Sequence, residues 1–171
     1  SCTSKRAFNV FFEALYPKAF EVMRHALRER GNEEEIVSSI MKFLSSLVLN
    51  RESRIDYCNE LANGVTLFRE TASVLQVYGN LLLENFKSFS QCPDYVYKGI
   101  CQLFNVMQRC LKGNYIPFGV FSLYNDNCLQ DVLSMYLQIV IRTPFDQLSQ
   151  WPKYETAVFN FLDVLFSDHL A

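Results

Sequence analysis

Residues 32–47 read NEEEIVSSIMKFLSSL and contain the clearest helix signal in the chain. Apolar side chains recur there at the spacing that places them along one face of an α-helix. Asn32 is a residue type that commonly precedes a helix, and Glu35 three positions later completes the pattern of a capping box. The stretch therefore predicts a helix that starts just after Asn32. Its apolar side chains are Ile36, Ile40, Phe43, Leu44 and Leu47.

The same apolar period extends outward from this helix in both directions. Upstream, Ser4 precedes a run that Pro17 either kinks or divides into two helices, and the run ends at Gly31. Gly79 lies inside a downstream run, where it lowers helix propensity and indicates a bend or a close approach of the backbone. The downstream runs begin at or just after Gly64, Pro93, Asn125 and Pro152.

The spacing of these helix starts indicates a repeat of helix pairs. Alternate starts are separated by about sixty residues, more than in a plain HEAT or armadillo unit. A single pair cannot bury its apolar stripe, whereas stacked pairs bury it in a continuous core. We therefore predict an all-α fold, an α-α superhelix of the HEAT- or armadillo-like solenoid type. About three long pairs are expected, approximately at residues 4–50, 63–113 and 118–168, with an up-and-down bundle as the structural alternative.

The predicted solenoid comprises the whole chain, residues 1–171, as one segment. Both terminal helices are rich in phenylalanine, whereas the end repeats of a complete solenoid normally present a polar outer face. We therefore expect this segment to be excised from a longer solenoid.

Composition limits the classes of partner. Half of the residues are apolar, and the formal net charge is -2, from 16 basic and 18 acidic residues. Such a balance provides no field that recruits nucleic acid, so we expect protein partners. The sequence contains no apolar run of about eighteen residues, so we expect no membrane insertion. Six sparse cysteines and the lack of Asn-x-Ser/Thr sequons suit a reducing cytosolic or nuclear setting.

Signals of catalysis and of metal or cofactor binding are weak in the sequence. His25 and His169 lie far apart, and neither has cysteines at zinc-ligand spacing. Cys101 and Cys110 fall on different faces of one predicted helix, where we interpret them as small buried apolar side chains. Motifs for phosphate-binding loops, zinc proteases and serine hydrolases do not occur. We predict no enzymatic activity and no catalytic, cofactor-binding or metal site.

Two groups of side chains are candidates for a partner surface. Basic residues near the first predicted pair could bind an acidic protein, although solvation and pairing with the acidic run at 33–35 explain them more simply. Aromatic residues at 115–121 follow no helical period, so they either contact a partner or fill a gap between helices. The candidates are Arg24, Arg28, Arg51, Arg54, Tyr115, Phe118 and Phe121.

Several short stretches, in order along nearly the whole chain, resemble one protein family. They include Leu49-Asn50-Arg51, NGVTLFRE at 63–70, Tyr78-Gly79-Asn80, Tyr97-Lys98-Gly99-Ile100 and GNYIPFGVF at 113–121. In these stretches the chain resembles the karyopherin-β (importin-β/exportin) family of nuclear transport receptors, and within it the exportin-7 or Ran-binding protein 16 group. Asn125 stands where that group is expected to have glycine, and residues 84–95 and 143–151 diverge, which indicates a distant relative.

The resemblance implies a segment from the C-terminal half of a longer receptor that exports proteins through nuclear pores in a Ran-GTP-dependent manner. The implied partners are the GTP form of the small GTPase Ran, protein cargo and nuclear pore proteins, and the implied localisation is shuttling between nucleus and cytoplasm. Ran would be gripped mainly by N-terminal repeats outside this stretch, and no family motif assigns a Ran or cargo contact within it. A helical-repeat scaffold outside transport and an α-helical enzyme domain are the alternatives.

Overall fold

The computed structural model describes residues 5–55, 63–90, 92–115, 118–144, 146 and 150–169. A 3-10 turn at Arg51–Ser53 follows the third α-helix, and a π-helical turn at Leu165–His169 extends the last one. Ser4, the expected first cap, lies outside the described residues. The α-helices are α1 (Lys5–Leu15), α2 (Lys18–Arg30), α3 (Glu34–Leu47), α4 (Asn63–Asn85), α5 (Asp94–Lys112), α6 (Phe118–Leu123), α7 (Cys128–Arg142) and α8 (Pro152–Val164).

The longer helices form consecutive pairs that stack in two layers. In one layer α2 packs on α4 and α4 on α7, and in the other α3 packs on α5 and α5 on α8. Each helix therefore contacts the equivalent helix of the next pair more extensively than its own pair partner. Stacking of this kind buries the apolar faces of neighbouring pairs against each other. The prediction of an all-α superhelix is confirmed, and the up-and-down bundle does not describe the contacts.

A constant offset relates α3 to the equivalent helix α5. Three polar contacts join them, and in each the partners are 64 residues apart. The offset is close to the interval read from the helix starts. The contacts are an ion pair of Lys98 with Glu34 and hydrogen bonds from Gln102 Nε2 to Ser38 Oγ (2.9 Å) and from Arg109 Nη1 to the Ser45 carbonyl oxygen (3.1 Å).

Aromatic rings fill the core between the second and third pairs. The Phe104 ring of α5 makes edge contacts with Tyr136, Tyr154 and Phe161, at centroid distances of 4.9, 6.0 and 5.3 Å. Tyr136 stacks on Phe161 at 5.2 Å, and its hydroxyl donates to the Leu103 carbonyl oxygen at 2.7 Å. Edge-to-face packing suits the ring quadrupoles, and the bonded hydroxyl avoids an unsatisfied buried donor.

The start of α3 differs from the predicted capping box. Glu33, not Asn32, is the residue before the helix, and no side-chain hydrogen bond caps the first turn. The Glu33 carboxylate instead accepts two hydrogen bonds from the Arg30 guanidinium, at 2.7 and 2.6 Å. The prediction of a cap at Asn32 was therefore wrong although the helix itself is present, and the strong bidentate pair engages the carboxylate of the residue that does precede the helix.

Gly79 and the segment at 118–123 are two further positions where the structure can be compared with the sequence predictions. Gly79 is buried in α4, and a Cβ atom there would overlap the side chain of Met135 on α7, which confirms a close approach. The region at 118–123, read as irregular, forms the short helix α6. Because α6 has only 6 residues, it is too short to display a helical period in the sequence.

Candidate functional site

Three surfaces of the stacked pairs are candidates for binding. The first end face is the outer side of α1, α2 and α3, and the last end face is the outer side of α7, α8 and the turn that follows α8. The amide face is the surface of α3, α5 and α8 lined by Ser45, Ser46, Gln102, Asn105, Gln108, Thr156 and Asn160.

The first end face carries a shallow apolar groove of about 550 Å³. Val22 on α2 is 66% exposed, and Phe43 on α3 is also exposed at the edge of the groove. The opposite sides of these helices are buried against the second pair, for example through Leu27 and Leu44. The first pair is therefore apolar on two sides, as expected of a helix pair with neighbours on both.

The last end face carries a deeper apolar groove of about 660 Å³ between α7 and α8. Leu137 is 58% exposed there, and Phe166 is exposed to a similar degree. On the opposite side of α7, Met135 and Ile139 are buried. Contiguous exposed apolar surface of this kind marks an interaction site or a face covered by another part of a protein.

Of the basic candidates on α2, Arg24 takes part in the packing of the pairs. Its guanidinium forms an ion pair with Glu70 of α4 at 2.6 Å, and the two side chains are only 17% and 20% exposed. Arg28 is exposed on the same helix. The sequence predicted that the basic residues near the first pair would pair with the acidic run at 33–35, but Arg24 pairs with a residue of another helix. Glu33 instead forms an ion pair with Arg30, and Glu34 forms one with Lys98.

Arg54 closes the C-terminal end of α3. It donates to the carbonyl oxygens of Ser46 (3.0 Å) and Leu47 (3.3 Å), which the helix leaves without intrahelical donors. Its guanidinium carbon also lies 5.0 Å from the centre of the Phe8 ring in α1. Arg54 therefore holds three segments together, whereas Arg51 in the neighbouring turn is exposed.

The aromatic candidates lie largely inside the protein. Tyr115 is 0% exposed, and burial holds the pKa of its hydroxyl well above the ordinary value. Phe121 is 3% exposed and makes an edge contact with Phe68 at 5.4 Å. Phe118 begins α6, and its side chain lies outside the described residues. Tyr115 and Phe121 therefore fill the space between helices. Of the two interpretations of residues 115–121, partner contact or gap filling, the structure supports gap filling for these two side chains.

Asn50 organises the joint between the first two pairs, a role that spacing did not reveal. Its side-chain amide donates to the carbonyl oxygens of Ile55 (3.0 Å) and Gly113 (2.7 Å), and its oxygen accepts from the Ile55 N–H (2.8 Å). Tyr115 adds a hydrogen bond from its hydroxyl to the Val48 carbonyl oxygen at 3.3 Å. The ends of α3 and α5 are thereby fixed to each other.

Two grooves flank α5 on the amide face. The groove between α5 and α8 has a volume of about 680 Å³, and the groove between α3 and α5 has about 600 Å³. Gln102 and Asn105 line both, so they form the ridge that separates them. In the α3–α5 groove, the lining side chains among the described residues are polar or charged apart from Met41.

The thiols of Cys101, Cys110 and Cys128 lack the environment of a reactive cysteine. Burial raises the pKa of Cys110 to about 12 and the pKa values of Cys101 and Cys128 to about 11, so these thiols are protonated at neutral pH.

Among the residues that the structure describes, no group of three or more His, Cys, Asp and Glu side chains is arranged to hold a metal ion. Within the same part of the chain, no helix is both long and apolar enough to cross a bilayer.

Comparison with known proteins gives a consistent set of relatives. The chain is 31% identical to exportin-7-B of Xenopus laevis over 173 aligned residues, which cover 98% of this chain and 16% of the relative. It is 32% identical to exportin-7 of Dictyostelium discoideum over 99% of this chain and 17% of the relative. Ran-binding protein 17 of Homo sapiens is 29% identical over 98% of this chain and 16% of its own length.

The chain thus spans about a sixth of the length of these curated relatives. The resemblance read from the short sequence stretches is confirmed. No family model and no solved structure matches the chain.

Proposed function

Over nearly its whole length the chain is homologous to one segment of exportin-7 and its Ran-binding protein relatives, and we propose that it is a segment of an exportin-7-like nuclear export receptor. The alignment over 98% of the chain is the observation that carries this proposal. The proposed receptor carries protein cargo out of the nucleus with Ran in its GTP form. It contacts nuclear pore proteins and shuttles between nucleus and cytoplasm.

Within that receptor, the two end faces serve as stacking surfaces for further helix pairs. Three observations support this role: the apolar grooves at both ends, the two-layer stacking between them, and relatives about six times longer than this chain. Neighbouring pairs would extend each layer by the contacts that already join α4 to α7 and α5 to α8. The approximate pair boundaries at 4–50, 63–113 and 118–168 belong to the same proposal.

The described residues also support a binding role rather than a catalytic one. The cysteines have raised pKa values, and the candidate basic side chains either join helices, as Arg24 and Arg54 do, or lie exposed, as Arg28 and Arg51 do. A transport receptor acts through surface and curvature. Arg28 and Arg51 remain proposed contacts for a protein partner.

Binding to Ran in its two nucleotide states tests the transport proposal. The natural protein that carries this chain, tagged in its own cells and purified, is passed over immobilised Ran loaded with a non-hydrolysable GTP analogue or with GDP. We expect the tagged protein to be retained strongly on the GTP-analogue form only. We also expect the protein to be found in both the nucleus and the cytoplasm of those cells. Equal retention on the two forms would reject the transport role and favour a helical-repeat scaffold.

A further inference from the structure

We propose that the amide face binds an extended, acidic segment of a partner protein. The grooves beside α5 and the charges around them carry this proposal. It does not depend on nuclear transport, because a scaffold built from the same helices would present the same face.

The charge of the amide face is opposite to that of the chain. The described residues that line its two grooves include one anion, Asp94, and Glu34 lies at their edge in an ion pair with Lys98. The chain as a whole has a net charge of -2, so this positive excess is local and favours carboxylates. The cations that line the two grooves are Lys42, Lys98, Arg109 and Lys153.

The amide side chains that line the two grooves suit a peptide backbone. Amides such as Asn105 and Asn160, both exposed, each offer two donors and one acceptor, the complement of peptide C=O and N–H groups. An apolar helix laid over the α3–α5 groove would bury these polar groups without partners, which is costly. An extended segment keeps its own N–H and C=O groups free to pair with them.

The same face is poorly suited to nucleic acid. Single strands bind where bases stack on open aromatic rings among many cations. Here the ring of Trp151 already stacks on Tyr97, with centroids 4.5 Å apart and planes 13° from parallel. The surface combines few cations with several amides, which favours a protein partner.

Trp151 provides a reporter inside the α5–α8 groove, because it is the single tryptophan of the chain. The probe is a fluorescein-labelled peptide of alternating Glu and Ser, titrated with the whole chain and followed by anisotropy. We expect saturable binding that weakens as salt is added, with a parallel change in Trp151 emission when the unlabelled peptide is used. A matched peptide of alternating Lys and Ser should not bind.

Charge reversal then tests the location of the binding site. The double variant Lys42→Glu with Lys153→Glu changes one exposed cation in each groove and should bind about tenfold more weakly. The control Lys18→Glu with Lys87→Glu makes the same change of net charge at exposed positions outside both grooves and should bind like the original chain. Circular dichroism verifies the fold, and the neutral pair Lys42→Gln with Lys153→Gln replaces the first variant if that variant unfolds.

Four results would overturn the proposal. The first is equal binding of the acidic and basic peptides, and the second is equal weakening by the groove variants and the control. The third is peptide binding without a change in Trp151 emission, which would place the peptide elsewhere. The fourth is tighter binding of a thymidine oligonucleotide than of the acidic peptide, which would identify a nucleic-acid surface.

Discussion

At the scale of single residues, the protein is held together by rings whose polar atoms are satisfied. Tyr97, Tyr115, Tyr136 and Tyr154 are buried, and each hydroxyl forms a hydrogen bond to a backbone oxygen or to a neighbouring hydroxyl. A buried tyrosine contributes a large apolar area, but only if its hydroxyl finds a partner. The composition shows that the chain is rich in aromatic residues, whereas the hydrogen-bond partners of their hydroxyls depend on which helices pack together.

Replacing Phe104 by alanine tests the aromatic core. Phe104 is fully buried and contacts three other rings, so we expect Phe104→Ala to lower the free energy of unfolding by about 3 to 5 kcal/mol. The measurement is urea denaturation followed by circular dichroism. The matched control Phe159→Ala removes a ring that is 56% exposed and should change stability by less than about 1 kcal/mol. Similar losses in the two variants would contradict the assignment of the core.

Alkaline pH should destabilise the fold through its buried tyrosines. Burial raises the pKa of Tyr154 from its ordinary value of 10.0 to about 12, and burial also raises the pKa values of Tyr78, Tyr115 and Tyr136. Because the neutral form is favoured in the folded state, this contribution is fully present below pH 10.0 and is lost as pH rises through about 12.

The variant Tyr154→Phe isolates one of these groups. At neutral pH it loses the hydrogen bond with the Thr143 hydroxyl (2.8 Å), so we expect a cost of about 1 kcal/mol. Above pH 10.0 the original chain should lose more stability than this variant, because the variant has one fewer buried phenol to ionise. Thermal unfolding across the pH range, with tyrosinate absorbance as the titration signal, measures both. Parallel losses in the two proteins would contradict the mechanism.

At the scale of secondary-structure elements, the sequence predicted the long helices well and their ends less well. Starts near Pro93 and Pro152 agree with α5 and α8 because proline tolerates the first turn of a helix and disfavours the preceding residue as helix. The cap at Asn32 failed because the helix starts one residue later, after Glu33, and the Glu33 carboxylate is paired with Arg30 rather than with the first turn. Helix α6 was missed because it is too short to show a period.

Gly99 tests how closely α4 and α5 approach. A Cβ atom at this position would overlap the buried hydroxyl of Tyr78 on α4. Alanine improves helix propensity by about 1 kcal/mol, but overpacking costs about 1 to 3 kcal/mol, so we expect Gly99→Ala to destabilise the protein. Chemical denaturation measures the loss, and Tyr78→Phe in the same chain should recover part of it by removing the hydroxyl oxygen.

Gly119 is the matched control for this prediction. It lies in α6, where a Cβ atom would meet no other atom within 4 Å. Gly119→Ala should therefore leave the stability unchanged or raise it by up to about 1 kcal/mol. A destabilisation equal to that of Gly99→Ala would show that the close approach to Tyr78 is not the cause.

At the scale of the whole molecule, the sequence predicted an all-α superhelix but not which helices contact each other. The interval between helix starts follows from caps and prolines, which are local signals. The pairing of α2 with α4 and of α3 with α5 depends on which apolar face meets which, and most helices here carry apolar residues on more than one side. For the same reason Tyr115 and Arg54 could be read as surface candidates until their burial and partners were known.

The two end faces should make the isolated chain associate. Exposed apolar grooves of this size favour self-association and binding of a hydrophobic dye. We expect a concentration-dependent increase in mass by analytical ultracentrifugation, and Leu137→Lys with Phe166→Lys in the groove of the last end face should reduce it. The control Leu123→Lys with Tyr124→Lys removes apolar side chains that are even more exposed but do not line that groove. A monomer without dye binding would contradict stacking at the end faces.

The constant offset between α3 and α5 has a mechanical consequence. On each helix the three cross-linked residues fall four and then seven positions apart, which keeps them on one stripe parallel to the axis. Contacts aligned in this way resist sliding of the two helices past each other, because an axial shift would break all three at once. The row therefore fixes the axial register of the first two pairs, while the packing of α2 on α4 in the opposite layer limits rotation between them.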